Sequence, residues 1–108
     1  MNALFSMAAS GLQTAARSLQ VVANNVANMG TDGFGRSALQ REAQPGGGVY
    51  GRVVPASARG DGLADDALQA MSDRLVYEAN ARVMKAGDSL LGTLFDAFAC
   101  AARRRARA

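Results

Sequence analysis

Histidine and tryptophan are absent from this chain of 108 residues, which has a single cysteine, Cys100. Without histidine, the common catalytic triads, histidine-based acid and base catalysis and most zinc sites are excluded. One cysteine permits no intrachain disulfide and would supply only one ligand to a thiol-based metal site. We therefore predict a protein that is not an enzyme, with no catalytic residues and no metal site.

Bulky side chains are also scarce, because 49% of the residues are hydrophobic but only 6% are aromatic. Much of the apolar content is alanine, which favours helices with shallow apolar faces over a bulky globular core. No apolar run approaches the roughly 18 residues of a transmembrane helix, so we expect no membrane span. The first basic residue is Arg17, and no uninterrupted apolar core follows a charged start, so we expect no secretory signal peptide.

Three short patterns could be mistaken for functional sites. Gly46, Gly48 and Gly51 have the spacing of a dinucleotide-binding loop, but Pro45 precedes them where a strand is required. We therefore expect no cofactor.

The adjacent acidic residues at positions 65 and 66 diverge by about 100° on a helix and fit an ordinary helix start. The arginines at 103–105 and 107 fit a solvated, frayed terminus, with binding to anionic lipid or nucleic acid as the alternative. Aromatic residues that could stack on bases are not interleaved with them, so we expect no nucleic-acid partner.

The N-terminal region has the periodicity of a long helix, predicted over residues 2–29. Large apolar residues recur every seven positions, and a second series follows three positions later, as in the a and d positions of a heptad. The first series is Phe5, Leu12, Leu19 and Val26, and the second is Ala8, Ala15 and Val22. Gly11 interrupts this helix and either permits close packing against a neighbour or is merely tolerated.

A connector rich in glycine and proline is predicted over residues 30–62. Gly30 and Gly33 can end the first helix, and Pro45 and Pro55 prevent another long one. Only short extended segments are expected there, such as Val49–Val54. The connector should therefore contain at most a small β-hairpin.

A second amphipathic helix is predicted over residues 64–101, followed by a basic tail at 102–108. Its apolar residues at three- and four-residue spacing are Leu68, Met71, Leu75, Ala79, Val83, Ala86, Leu90, Leu94 and Phe98. We predict a mainly α fold and a single unit over residues 1–108, in which the two terminal helices pair as an antiparallel coiled coil. Phe5 should lie near Phe95 or Phe98, and Val22 and Val26 near Met71 and Leu75. Because one helix cannot cover such wide apolar faces, we also expect oligomerisation.

Three asparagines cluster in the last turns predicted for the first helix, at Asn24, Asn25 and Asn28. Their carboxamides are poor helix formers and offer both donors and acceptors. They fit interchain hydrogen bonds, or equally the capping and solvation of the helix end.

Two sets of residues, one near each end of the chain, form longer motifs. The N-terminal set is Ala9–Leu12, Leu19, Val21, Ala23–Asn28, Thr31, Gly33 and Phe34, and the C-terminal set is Tyr77–Val83, Asp88, Leu91 and Leu94. Both sets, in this order, resemble the terminal signatures of flagellar rod, hook and hook-associated proteins. The resemblance implies terminal helices that form a coiled-coil domain lining a hollow axial tube. It also implies export through the flagellar type III apparatus with an uncleaved signal.

On this resemblance we predict a structural subunit of the bacterial flagellar rod or hook. It should assemble through its terminal helices with itself and other axial subunits, in the basal body, after synthesis in the cytoplasm. The alternative is an adaptor for assembly or export that uses the same helices to hold axial subunits. The predicted assembly interface is Phe5, Leu12, Leu19, Val22, Asn24, Asn25, Val26 and Asn28 with Leu75, Tyr77, Asn80, Val83, Leu90, Leu94 and Phe98.

Overall fold

The computed structural model describes residues 2–57 and 62–106. It contains helix α1 (Asn2–Ala27), strands β1 (Ser37–Ala43) and β2 (Val49–Pro55), and helix α2 (Gly62–Ala106). The mainly helical fold with a small antiparallel hairpin between two helices is thus confirmed. Expectations for the connector at 58–61 and for the arginine at 107 lie outside the described residues.

Helix α1 ends at Ala27, two residues before the predicted boundary. The backbone N–H of Met29 donates to the carbonyl of Val26 at 3.4 Å, which is the tighter spacing of a turn. Gly33 then adopts a φ of 75°, a left-handed angle that glycine tolerates without steric cost. The chain therefore reverses towards β1 immediately after the asparagine cluster.

Helix α2 is longer than the prediction of 64–101 and includes the first residues of the basic tail. Arg103, Arg104 and Arg105 lie in its last turn, where positive charge interacts favourably with the helix dipole. Alanine at several neighbouring positions also favours continuation of the helix. The tail is thus helical as far as Ala106, and Arg103, Arg104 and Arg105 are exposed at the end of α2.

The two helices pack against each other in antiparallel order. The side chain of Asn25 meets Asp66, Gly11 lies against Asn80, and Gly87 lies against Phe5. The predicted proximity of Phe5 to Phe95 or Phe98 is therefore wrong by at least eight positions along α2. Val26 likewise lies beside Leu63 instead of beside Met71 and Leu75.

The surface of α1 that faces α2 is made of small and polar residues. Ala8, Ala15 and Val22 are buried as predicted, but the other buried series is Gly11, Ser18 and Asn25. This second series stands one residue before Leu12, Leu19 and Val26, which lie at the edge of the contact or outside it. The helix is therefore rotated from the predicted orientation, because small residues permit an approach to α2 that leucine side chains would block.

The hairpin lies along α1. Its strands pair from Ser37 with Pro55 to Ala43 with Val49, and a loop over residues 44–48 joins them. In this loop Gly47 and Gly48 have φ angles of 91° and 94°, and both approach the first turns of α1 closely. A lone two-stranded hairpin is marginal in water, so packing on α1 and ion pairs to α2 stabilise this one.

Candidate assembly surface

Asn25 joins the end of α1 to the start of the hairpin. Its Nδ2 donates to the carbonyl of Ser37 at 2.8 Å, and its Oδ1 accepts from the backbone N–H of Ser37 at 3.0 Å. The same Nδ2 lies 3.2 Å from an oxygen of Asp66 in α2. With only 1% of its surface exposed, Asn25 satisfies its hydrogen bonds inside the chain instead of offering them to a neighbour.

Two arginines before and within β1 reach across to acidic residues on α2. Arg36 lies 2.7 Å from an oxygen of Asp66 and also donates to the carbonyl of Gly62 at 2.7 Å. Arg41 pairs with Asp73, which is completely buried and also accepts from Gln69 at 3.0 Å. Because a buried carboxylate is costly unless it is paired, these arginines tie the hairpin to α2.

The start of β2 is held by polar side chains of α1. The backbone N–H of Val49 donates to the hydroxyl of Ser10 at 3.1 Å, and its carbonyl accepts from Thr14 at 3.3 Å. Arg17 donates to the carbonyl of Gly51 at 3.4 Å. Gly51 is itself buried, and a β-carbon there would come within 3.1 Å of Thr14. Side chains of α1 therefore satisfy part of the backbone hydrogen-bonding groups of β2.

Glycines stand at two points where the helices meet. A β-carbon added at Gly11 would lie 2.6 Å from the Nδ2 of Asn80, which itself donates to the carbonyl of Val76. At Gly87 a β-carbon would lie 3.0 Å from the ring of Phe5. Of the two interpretations of Gly11 from sequence, the structure supports close packing.

Most large apolar side chains lie on the outside of the helix pair. Leu75 is 67% exposed and Phe98 is 71% exposed, whereas the buried apolar residues among those described are Ala8, Ala15 and Val22. The large residues of the apolar face predicted for α2 are all exposed, and we call them together the outer stripe: Leu68, Met71, Leu75, Val83, Leu90, Leu94 and Phe98. Exposed apolar side chains in this number indicate a surface that contacts another protein.

The predicted interface residues differ in how far they are exposed. Those that contact other parts of the chain include Phe5, Val22, Asn25 and Asn80, while Leu12 and Leu19 are half-buried. The exposed group is Asn24, Val26, Leu75, Tyr77, Val83, Leu90, Leu94 and Phe98. Asn28 donates to the carbonyl and the side-chain oxygen of Asn24, which fits the capping alternative. The exposed group is available to a partner.

Sequence reasoning missed the acidic residues of the helix contact. Asp66, Asp73, Asn80 and Gly87 follow one another at intervals of seven and lie on the side of α2 that faces α1. Apolar periodicity does not reveal this spacing, because none of the four residues has an apolar side chain. Their arginine partners, Arg36 and Arg41, carried no sequence signal of their own.

Other kinds of site find no support in the described residues. Over residues 2–57 and 62–106 no group of three or more possible metal ligands occurs. Within the same ranges neither helix has the length of apolar sequence needed to cross a membrane.

The N-terminal third of the chain matches a known family. Residues 5–34 fit the family model described as flagella basal body rod protein. The matched segment contains most of α1 and the turn after it, including the buried residues that face α2. No curated protein matches the chain. The match confirms the resemblance of the N-terminal residues to flagellar rod proteins.

Proposed function

We propose that this chain is a structural subunit of the flagellar axial structure, in the rod or hook, and that it self-assembles through its two helices. The rod-family match at residues 5–34 supports a structural role in the basal body and assembly with other flagellar components. The family is structural rather than enzymatic. Export by the type III apparatus and a final place outside the cytoplasm are part of the same proposal.

The observation that carries the proposal is that small side chains are buried between the helices while most large apolar side chains are exposed. The helix contact buries small and polar residues, while the outer stripe leaves leucine and phenylalanine in water. Full burial of one such side chain is worth about 1.5 to 3 kcal/mol. A chain that forgoes this gain inside itself can recover it against neighbours, as subunits of obligate assemblies do.

The proposed interface combines the outer stripe with the exposed residues at the end of α1. Val26 and Asn24 extend it on α1, and Tyr77 extends it on α2. Phe5, Val22, Asn25 and Asn80 act indirectly, because they set the antiparallel helix contact that orients the stripe. Leu12 and Leu19 are half-buried, and we assign them to the boundary of the interface. In the assembled state we expect the helices to pack as a coiled coil with their neighbours.

The proposal can be tested by following the chain into purified hook and basal-body preparations. The parent chain should be present in many copies, and Leu75→Asp should be lost, because it places a charge in the outer stripe. Ala81→Asp is the matched control, since it adds the same charge at an exposed position on another side of α2.

The amount of each variant should be measured in the cell and in the medium, so that failed export is separated from failed assembly. Normal incorporation of Leu75→Asp would contradict the proposal. Equal loss of both variants would show that the stripe has no special role. A parent chain that stays in the cytoplasm with axial subunits would favour the adaptor instead.

A further inference from the structure

The two ends of the elongated molecule carry opposite charge. At one end, the turn after α1 and the first turns of α2 contain Asp32, Asp65 and Asp66, with Arg36 as the basic residue among those described. At the other end, the last turn of α2 carries Arg103, Arg104 and Arg105. We call these the acidic end and the basic end. They are separated along a molecule whose longest dimension is 78 Å.

The acidic end contains an apolar hollow between the end of α1 and the start of α2. Its apolar lining is formed by Val26, Met29, Phe34 and Leu63, and we call it the end hollow. Met29 and Leu63 are 65% and 50% exposed. The polar groups at its edge, such as the Arg36 and Asp66 pair, already have partners in the chain. The surface that the end hollow offers to a partner is therefore mainly apolar.

The basic end is a segment of α2 that no other described part of the chain covers. Gly87 lies against Phe5, and α1 begins only three residues before Phe5. Every residue from Gly92 to Ala106 is exposed, and we call this segment the overhang. Phe95 and Phe98, each about 70% exposed, project from it shortly before the arginines.

We propose that the overhang of one copy docks into the end hollow of the next copy, head to tail. Phe95 and Phe98 supply the apolar contact, and Arg103–Arg105 face Asp32 and Asp65 across the junction. Opposite charges across an interface favour encounter and fix orientation. The inference rests on the proposed self-assembly and adds the surfaces and the polarity of one contact.

A second copy in this arrangement is favoured over other occupants because a single contact covers the overhang of one copy and the end hollow of the next. Two overhangs paired with each other would leave both end hollows open to water. A lipid surface would engage the arginines and phenylalanines but would leave the acidic end without a partner. Two different surfaces that meet head to tail do not close on themselves, so the product is an open chain of subunits.

Cross-linking through the native thiol tests the arrangement. Cys100 is exposed on the overhang, and Met29→Cys places a second thiol at the end hollow. With a short bismaleimide reagent, purified Met29→Cys chain should give a ladder of dimers, trimers and longer species. Tyr50→Cys is the matched control, because Tyr50 is half exposed on the hairpin, away from the end hollow. It should give severalfold less ladder at the same concentration.

Charge reversal supplies a second readout. Replacing the three arginines at 103–105 by glutamate in the Met29→Cys chain should reduce the ladder severalfold. Adding Asp32→Arg and Asp65→Arg should restore it, because complementarity returns with the signs exchanged. Failure of this restoration would overturn the assigned pairing of the two ends.

Three other outcomes would overturn the inference. They are no ladder from a folded Met29→Cys chain, equal ladders from Met29→Cys and Tyr50→Cys, and dimers of the parent chain linked through Cys100 that go no further. If the parent chain is nevertheless abundant in basal bodies, only the head-to-tail contact fails and the proposed function stands. If it is absent from basal bodies, the proposed function fails whatever the ladder shows.

Discussion

Removing Arg41 from its ion pair with Asp73 should lower stability strongly, because Asp73 is completely buried and one of its oxygens has no hydrogen-bond partner in the described structure. Arg41→Ala would leave that carboxylate with Gln69 as its described hydrogen-bond donor. Breaking a buried pair from one side costs about 3 to 5 kcal/mol. Since the Arg41 side chain is 34% exposed, we expect a loss near the lower figure, about 3 kcal/mol.

The free energy of unfolding should be measured by urea denaturation, followed by helical circular dichroism. Arg52→Ala is the matched control, because Arg52 lies on the same hairpin and pairs with Glu42 at 3.6 Å with both side chains more than half exposed. Exposed pairs of this kind contribute at most about 1 kcal/mol. Arg41→Ala should therefore lower the free energy of unfolding well beyond Arg52→Ala.

The double variant Arg41→Ala with Asp73→Ala makes the test sharper. Removing the buried carboxylate also removes the charge left unpaired by Arg41→Ala, so the double variant should be more stable than the single one. The reasoning would be refuted if the double variant were less stable than Arg41→Ala. Equal effects of Arg41→Ala and Arg52→Ala would refute it as well.

Two further predictions concern the helices themselves. Gly11→Ala should lower the free energy of unfolding despite the better helix propensity of alanine, because its β-carbon would meet Asn80 at 2.6 Å. Gly92→Ala, in open space, should instead raise it by up to about 1 kcal/mol, and thermal unfolding of both variants checks the contrast. Leu19→Asp should abolish incorporation into basal bodies, since Leu19 is half-buried, whereas the exposed Gln20 should tolerate alanine. If Leu19→Asp protein were present in basal bodies at normal copy number, Leu19 would not belong to the proposed assembly interface.

Periodicity in the sequence was sufficient to predict both helices, because their apolar residues recur over many turns. It also predicted the burial of Ala8, Ala15 and Val22 correctly. The strand from Ser37 to Ala43 was not predicted, since its residues include alanine, glutamine and glutamate, which favour helices. The strand forms because groups distant in sequence hold it, namely Asn25 at its first residue and Asp73 through Arg41.

The register between the two helices could not be predicted from the sequence for a different reason. Apolar periodicity shows which face of a helix is buried, but it does not distinguish positions that are seven residues apart. Polar contacts do distinguish them, because Asn25 must meet Asp66 and Gly11 must meet Asn80. A polar residue in a helix contact can specify register in this way at some cost in stability.

This register has a direct consequence for assembly. Sliding α2 by seven residues, about 10 Å, to bring Phe5 beside Leu94 would place Asn25 opposite Asp73 and remove Asp66 from its contact. That slide would also cover part of the overhang with the chain's own α1. The hairpin opposes it, because Arg36 and Arg41 hold Asp66 and Asp73 at two points along α2. The polar contacts inside the molecule therefore determine which apolar residues remain outside, and so which surfaces a neighbouring subunit can bind.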